Sequence, residues 1–222
     1  MKPHIVLIAV LLGAAVPAVA HAQSPPAPAR PRADVAGTIG WLSGNKSTLA
    51  GESHNDWYNR GLYGGVTAGW YWTEHHKMEV EAGLTNDIDF QTYRSTYVDG
   101  VQAWGGSVFN YTLRRVAVGE LYQGLHNAWV HPYAGAGVDL TWERSIEHRD
   151  RVMAYDPRTG MSRELSPPAT IGPTTTLRVR PYLETGFKAY VSPRAFFRGD
   201  LRLIVYRGID EVVLRCGFGV DF

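Results

Sequence analysis

Residues 212–222 read Val212-Val-Leu-Arg-Cys-Gly-Phe-Gly-Val-Asp-Phe222 and alternate between two kinds of side chain. In an extended strand, one face carries Val212, Leu214, Cys216, Phe218, Val220 and Phe222. The other face carries Arg215, Gly217, Gly219 and Asp221. This pattern predicts an antiparallel strand with one apolar side, and the last position on that side is a large aromatic residue.

The same alternation recurs along the chain and predicts eight strands. They cover about residues 33–42, 62–73, 77–89, 104–122, 130–143, 175–191, 195–206 and 212–222. The third segment is the clearest, because Met78 and Val80 alternate with Lys77, Glu79 and Glu81. The composition, with 24 glycines and 12% aromatic residues, also favours an all-β protein whose strands are apolar on one side only.

The fourth segment is the most ambiguous of the eight. Its apolar face holds Phe109, Tyr111, Leu113, Ala117 and Leu121. Its polar face holds Asn110, Thr112, Arg114 and Glu120. Arg115 interrupts the apolar face and obscures the boundaries of the strand, and the alternation places Arg114 and Glu120 on the polar side with the other charged positions.

Charged residues fall almost entirely on the polar faces, and their signs balance. The acidic members are Glu79, Glu81, Glu120, Asp139, Glu143, Glu184, Asp200 and Asp221. The basic members are Lys77, Arg114, Arg178, Arg180, Lys188, Arg198, Arg202 and Arg215. Because an unpaired buried charge is expensive, balanced signs on facing walls predict an internal salt-bridge network, and a ligand-binding soluble barrel would instead be apolar inside. The ten residues we expect to form the core of this network are Glu79, Glu81, Asp139, Arg178, Arg180, Glu184, Arg198, Asp200, Arg202 and Arg215.

The connections predict the orientation. Those at 43–61, 90–103 and 144–174 are long, and the one at 207–211 is shorter, whereas those at 74–76, 123–129 and 192–194 are tight turns. Membrane barrels place long loops outside and short turns in the periplasm, and spanning strands of roughly 9 to 11 residues suffice. We therefore predict an eight-stranded antiparallel transmembrane β-barrel, built as an up-and-down meander with both ends in the periplasm.

The front of the chain predicts export. A basic start, an apolar run at 5–15 and the small residues around Ala20-His21-Ala22 indicate a signal peptide over 1–22. A proline-rich leader then covers 23–32, and the barrel covers 33–222. With a formal net charge of +1 and no basic stripe, nucleic acid is not expected as a partner.

The chain resembles the small eight-stranded outer-membrane barrels of the OmpA/OmpX type. The terminal strand ending in Phe222 carries this resemblance, together with His131-Pro-Tyr-Ala-Gly-Ala-Gly-Val138, which is similar to a Pro-Tyr-x-Gly-x-Gly strand recurrent in such barrels. The resemblance implies localisation in the bacterial outer membrane, with outer-membrane lipids as partners. It also implies that Phe218, Val220 and Phe222 form the signal read by the barrel-assembly machinery.

Function is less determined, because many activities share this scaffold. We expect a structural or surface-interaction role through the extracellular loops, with an extracellular partner that the sequence does not identify, and we expect no catalysis, cofactor or metal. The alternatives are a lipid A-modifying enzyme and a narrow pore for small solutes. The connection 144–174 is equally compatible with recognition and with a hydrophilic loop that screens the barrel mouth.

Three motifs could carry chemistry. Ser107 is placed on the lipid-facing side by the fourth segment, but no histidine lies two residues away, and His131 points inward. The pair His75-His76 could bind a metal, although a solvated turn explains it better. Glu79 and Glu81 could form a paired-carboxylate site, but arginines on the facing strands make them salt-bridge partners instead.

Overall fold

A computed structural model describes residues 32–44, 59–98, 100–124, 129–206 and 208–222. Within these ranges the chain forms eleven strands. They are β1 (Ala33–Gly44), β2 (Asn59–Tyr71), β3 (His76–Thr85), β4 (Ile88–Val98), β5 (Val101–Gln123), β6 (Val130–Arg149), β7 (Val152–Asp156), β8 (Met161–Ser166), β9 (Ala169–Tyr190), β10 (Ala195–Val205) and β11 (Ile209–Asp221). The predicted signal peptide, and the predicted leader apart from Arg32, lie outside the described residues.

Eight of the strands close into an antiparallel barrel, as the sequence predicted. The neighbours run β3-β2-β1-β11-β10-β9-β6-β5, and pairing of β3 with β5 closes the ring. The two ends of the chain meet where β1 pairs with β11, and the Phe222 N–H donates to the Ala33 carbonyl at 2.8 Å. Closure leaves no barrel strand with an unpaired edge, which a lipid environment requires.

The remaining strands extend the sheet beyond the extracellular end of the barrel. β4 forms a hairpin with the first half of β5, and the β7–β8 hairpin joins β5 through residues 102–104. β6 and β9 also continue upward, as far as the pair Arg149 and Ala169. We call this part the extracellular extension: β4, β7, β8, and residues 101–110, 145–149 and 169–174 of the long strands.

The extension adds strands within the two long connections predicted at 90–103 and 144–174. The first region contains most of β4 and the start of β5, and the second contains the end of β6, all of β7 and β8, and the start of β9. Sequence alternation could not detect these strands, because above the membrane both faces of much of the sheet meet water and the apolar pattern is lost. Their backbone pairing is nevertheless continuous with the barrel.

The outer surface of the barrel is apolar. Exposed side chains on the outward positions include Val35, Ile39, Leu62, Val66, Val80, Leu84, Val138, Val179, Leu183, Leu214, Phe218 and Val220. Tryptophans border this belt, with Trp41 and Trp142 near the extracellular end and Trp70, Trp72 and Trp129 near the periplasmic end. An apolar band between aromatic girdles is the surface that a bilayer accommodates. Among the described residues, no helix is long and apolar enough to cross a membrane.

β5 faces the opposite way from the prediction. Arg115 is 2% exposed and lies inside the barrel, whereas Arg114 and Glu120 lie on the outer surface. The buried side of β5 carries Tyr111, Leu113, Ala117 and Leu121. The prediction was wrong because the apolar face of this strand packs into an apolar cluster inside the barrel, so that an apolar face did not identify the lipid side here.

The inward apolar residues of β5 belong to a cluster inside the barrel. Its members are Leu42, Tyr63, Ile88, Tyr111, Leu113, Ala117, Tyr182, Ile204 and Val213. The interior is therefore filled partly by apolar packing and partly by the charged network. Eight strands enclose only enough room for side chains, so this filling takes the place of a wide channel.

The outward position of Val66, halfway along β2 and 56% exposed, gives a test of the lipid-facing register. We expect Val66→Arg to lower the free energy of unfolding in lipid bilayers by about 2 to 4 kcal/mol, because a charge near the midplane is poorly solvated. Leu62→Arg, near the girdle on the same strand, should cost clearly less. Equal effects of the two substitutions in urea titrations would contradict this register.

Because Arg149 pairs with Ala169, the β7–β8 hairpin can be removed to test whether the barrel folds without it. Replacing residues 150–168 by a Gly-Ser turn should change the free energy of unfolding by less than about 1 kcal/mol, since a shorter connection lowers the entropy cost of loop closure. Heat-modifiable migration on gels and circular dichroism would report folding. Loss of the folded form would show that the hairpin supports the barrel.

Candidate functional site

Arginine and carboxylate side chains fill the middle of the barrel. We call them the central cluster: Glu79, Glu81, Glu184, Arg198, Asp200, Arg202 and Arg215. They come from β3, β9, β10 and β11, and all are at most 4% exposed. Alternation along each strand places them inside, because every second side chain points to the lumen.

Glu184 and Arg198 join the strands of the central cluster. Glu184 accepts hydrogen bonds from Arg198 at 3.1 Å and from Nε of Arg202 at 2.9 Å, and it forms an ion pair with Arg215 at 2.8 Å. Arg198 also donates to Glu79 at 3.0 Å and, through Nε, to Asp200 at 3.0 Å. Such charge-assisted, multiply bonded pairs are the strong class of hydrogen bond.

Glu81 occupies the second bridging position. It accepts from Arg202 at 2.5 Å and also from Arg215 and from the Tyr63 hydroxyl. The paired-carboxylate alternative for Glu79 and Glu81 does not fit this geometry, because arginine donors already occupy oxygens of both groups. A free pair of carboxylates would be needed for general acid and base catalysis.

A second set of charges lies at the periplasmic end. Lys77 contacts Glu79 at 2.6 Å and Asp34 at 3.0 Å, and thereby connects this set to the central cluster. Lys188 pairs with Asp34 and, at 3.3 Å, with Asp221. The contribution of Asp34 was missed from sequence, although its parity on β1, opposite Val35, could have indicated it.

A third set lies at the extracellular end. Arg180 pairs with Glu211 at 2.7 Å and with Asp210 at 3.2 Å, and Arg115 pairs with Glu211 at 2.6 Å. Burial raises the pKa of Asp210, which lies at the extracellular start of β11, although Arg180 opposes the shift.

Two further members of the predicted network lie beside this third set. Asp139 is buried but lies 3.8 Å from Arg115 and 3.9 Å from Arg180, so it contacts them loosely. Arg178, which is partly exposed, pairs with Glu143 at 3.0 Å. The ten residues predicted for the interior network are therefore all inside, but in two sets rather than in one.

The remaining candidate residues are Ser107, His75 and His76. The Ser107 hydroxyl donates to Glu147 at 2.9 Å in the extracellular extension, on the same side of β5 as Tyr111 and not on the predicted lipid-facing side. His76 contacts Glu120 at 2.7 Å, and His75 contacts the Gln123 carbonyl at 2.9 Å. The described part of the chain contains no group of three or more His, Cys, Asp or Glu side chains that could hold a metal ion.

The proposed assembly residues lie on the outer face of the last strand. Phe218, Val220 and Phe222 are all exposed, and Phe218 packs edge-on against Phe197 of β10 at 5.4 Å between ring centroids. Their reading by the assembly machinery stays a prediction.

The extracellular extension contains a cleft of about 370 Å³. Its lining residues are Tyr93, Ser95, Trp104, Gly105, Gly106, Asp150, Arg151 and Met153. Tyr93 is 82% and Trp104 44% exposed, so two aromatic rings face outward. A Cβ atom on Gly106 would come within 2.8 Å of Asp150 Oδ2, so the missing side chain keeps the floor of the cleft open.

The bridging role of Glu81 gives a test of the central cluster. We expect Glu81→Gln to lower the free energy of unfolding by about 3 to 5 kcal/mol, because it leaves buried arginine charge uncompensated. Glu164→Gln is the matched control, since its pair with Arg151 is 3.7 Å long and largely exposed, and should change stability by less than about 1 kcal/mol. If the two variants unfold at the same urea concentration in matched lipid, the interior ion pairs do not stabilise the barrel.

No protein-family model matches the chain, and a search of curated proteins found no match. Among solved structures, Neisserial surface protein A (NspA) is similar with a TM-score of 0.50 and 13% identity, over 86% of this chain and 96% of that one. OprG from Pseudomonas aeruginosa has a TM-score of 0.46 and 13% identity, over 86% and 97%. Ail from Yersinia pestis has a TM-score of 0.46 and 10% identity, over 86% and 99%. Together with the closed barrel, its apolar belt and its charged interior, the likeness to NspA shows that this chain has the fold of the small eight-stranded β-barrels of bacterial outer membranes.

Proposed function

We propose that this protein is an integral outer-membrane barrel that recognises an extracellular partner through its extracellular extension, without catalysing a reaction. The cleft between β4, β5 and β7 carries this proposal. It presents Tyr93 and Trp104 beside the charged groups of Asp150 and Arg151. Exposed aromatic rings next to a few polar groups are the usual composition of a recognition surface.

The architecture around the cleft supports the same role. β5 and β6 rise from the barrel without interruption, so the cleft is built on strands that are anchored in the membrane. The Asp150 N–H donates to the Gly106 carbonyl at 2.9 Å, which fixes the loop that supplies Asp150 and Arg151. A site on rigid elements loses less entropy on binding than one on a free loop.

The filled interior favours this role over a pore. The central cluster and the apolar cluster occupy the lumen with long side chains that bond to one another. The lipid-modifying alternative is disfavoured by Ser107, which bonds to an acidic partner above the membrane rather than to a histidine at the lipid surface.

Trp104→Ala tests the proposal directly. The barrel in lipid nanodiscs would be screened against immobilised oligosaccharides and extracellular-matrix proteins, with binding measured by surface plasmon resonance. For any ligand bound by the wild type, we expect Trp104→Ala to weaken binding about tenfold or more, as for a central aromatic contact. Trp72→Ala, which removes an exposed tryptophan at the periplasmic end, is the control and should bind normally.

Replacement of residues 150–168 provides a second arm of this test. It removes Asp150, Arg151 and Met153 from the cleft while the barrel strands remain. Unchanged binding in both the shortened protein and Trp104→Ala would refute the proposed site.

A further inference from the structure

Two arginines lie on the outer surface of the barrel wall at its extracellular border. Arg114 of β5 pairs in register with Trp142 of β6, and Arg144 follows Trp142 by two residues, so all three share the outward face. Arg114 and Arg144 are both exposed. The two arginines are diagonal neighbours on adjacent strands, so their Cα atoms lie about 7 to 8 Å apart. Both side chains can therefore reach one ligand.

Neither arginine forms an ion pair or hydrogen bond with another residue that the structure describes. This distinguishes them from the arginines of the central cluster, each of which contacts at least two carboxylates. An arginine on the lipid face is unfavourable at the midplane, and the penalty falls toward the interface, where headgroups can solvate it. Their position beside the Trp142 girdle is where such solvation is available.

We propose that Arg114 and Arg144 bind the phosphate of a lipid headgroup in the outer leaflet, of the phosphorylated glycolipid class represented by lipid A. Two guanidinium forks provide the planar, bidentate donors that match phosphate oxygens. The pair carries two positive charges with no compensating partner among the described residues, so the surface is complementary to an anion.

The flanking residues select a lipid over a free anion. Leu84 and Trp142 lie beside Arg114 in register, and Leu177 lies beside Trp142 on β9. Leu84 and Leu177 are exposed on the apolar belt and would contact the acyl chains of the same lipid. A free phosphate ion would gain nothing from these contacts.

Two acidic groups lie close to this surface, Asp89, which accepts a hydrogen bond from Asn110 at 2.6 Å, and Asp87, which is nearer to Arg144 in register. Asp87 accepts a hydrogen bond from Thr112 at 2.8 Å, and Thr112 is the register partner of Arg144. The Asp87 carboxylate would repel a phosphate, so Asp87→Asn should tighten binding. A general loss of structure would weaken binding, so tighter binding by this variant would show that the charge acts on the bound phosphate.

The test uses the purified full barrel in detergent and native mass spectrometry. The probes are lipid A with both phosphates and chemically dephosphorylated lipid A. We expect the wild type to prefer the phosphorylated probe, and Arg114→Gln with Arg144→Gln to weaken its binding at least tenfold, since the loss of a single charge-assisted contact already corresponds to about that factor. Binding of the dephosphorylated probe should not change.

Three controls make the result decisive. Arg158→Gln with Arg163→Gln removes the same charge from exposed positions in and beside the β7–β8 hairpin and should leave binding unchanged. Arg114→Lys with Arg144→Lys should retain most of the binding, and heat-modifiability would show that each variant is folded. Equal losses in the two glutamine pairs, no preference for the phosphorylated probe, or displacement of it by millimolar inorganic phosphate would each overturn the proposal.

Discussion

Glu184 holds three arginines in the centre of a barrel whose outer wall is apolar, and the rest of the structure depends on that arrangement. Its carboxylate forms ion pairs with Arg198, Arg202 and Arg215, which lie on the two neighbouring strands β10 and β11. Glu79 and Glu81 of β3 connect the same arginines to the opposite wall. Because buried charges are tolerated only when they are paired, the walls must approach with this register.

Side chains fill the lumen of the barrel. Ion pairs fill the lumen at its centre, and apolar side chains fill it near the extracellular end. The barrel is therefore a rigid support rather than a path for solutes. The extracellular extension uses that support, since β5, β6 and β9 carry the barrel register upward for several residues. Aromatic side chains of the cleft such as Trp104 are therefore held by strands, which limits their motion relative to the membrane.

β5 shows how one strand can serve two environments. Its inward side supplies both Arg115 to the charged network and Leu113 to the apolar cluster, whereas its outward side carries charges at the two borders of the membrane. Glu120 contacts His76 near the periplasmic turn, and Arg114 lies at the opposite border. A charge on the lipid side is acceptable at these two levels because headgroups and water reach them.

The sequence by itself determined the barrel. Strict alternation in residues 77–84, 130–143 and 212–222 allows only one apolar side. Charged residues such as Glu79, Asp139 and Arg215 could therefore be assigned to the other side. The same signal could not orient β5, whose apolar face packs inside the barrel, nor find β4, β7 and β8, which lie above the membrane where alternation is not required. Only the tertiary structure decided which carboxylate meets which arginine, since pairs such as Glu81 and Arg215 are distant in the chain and depend on how the strands are staggered around the barrel. It also decided that Tyr93, Trp104 and Asp150 share a cleft, because that requires the register between three strands rather than the pattern within any one of them.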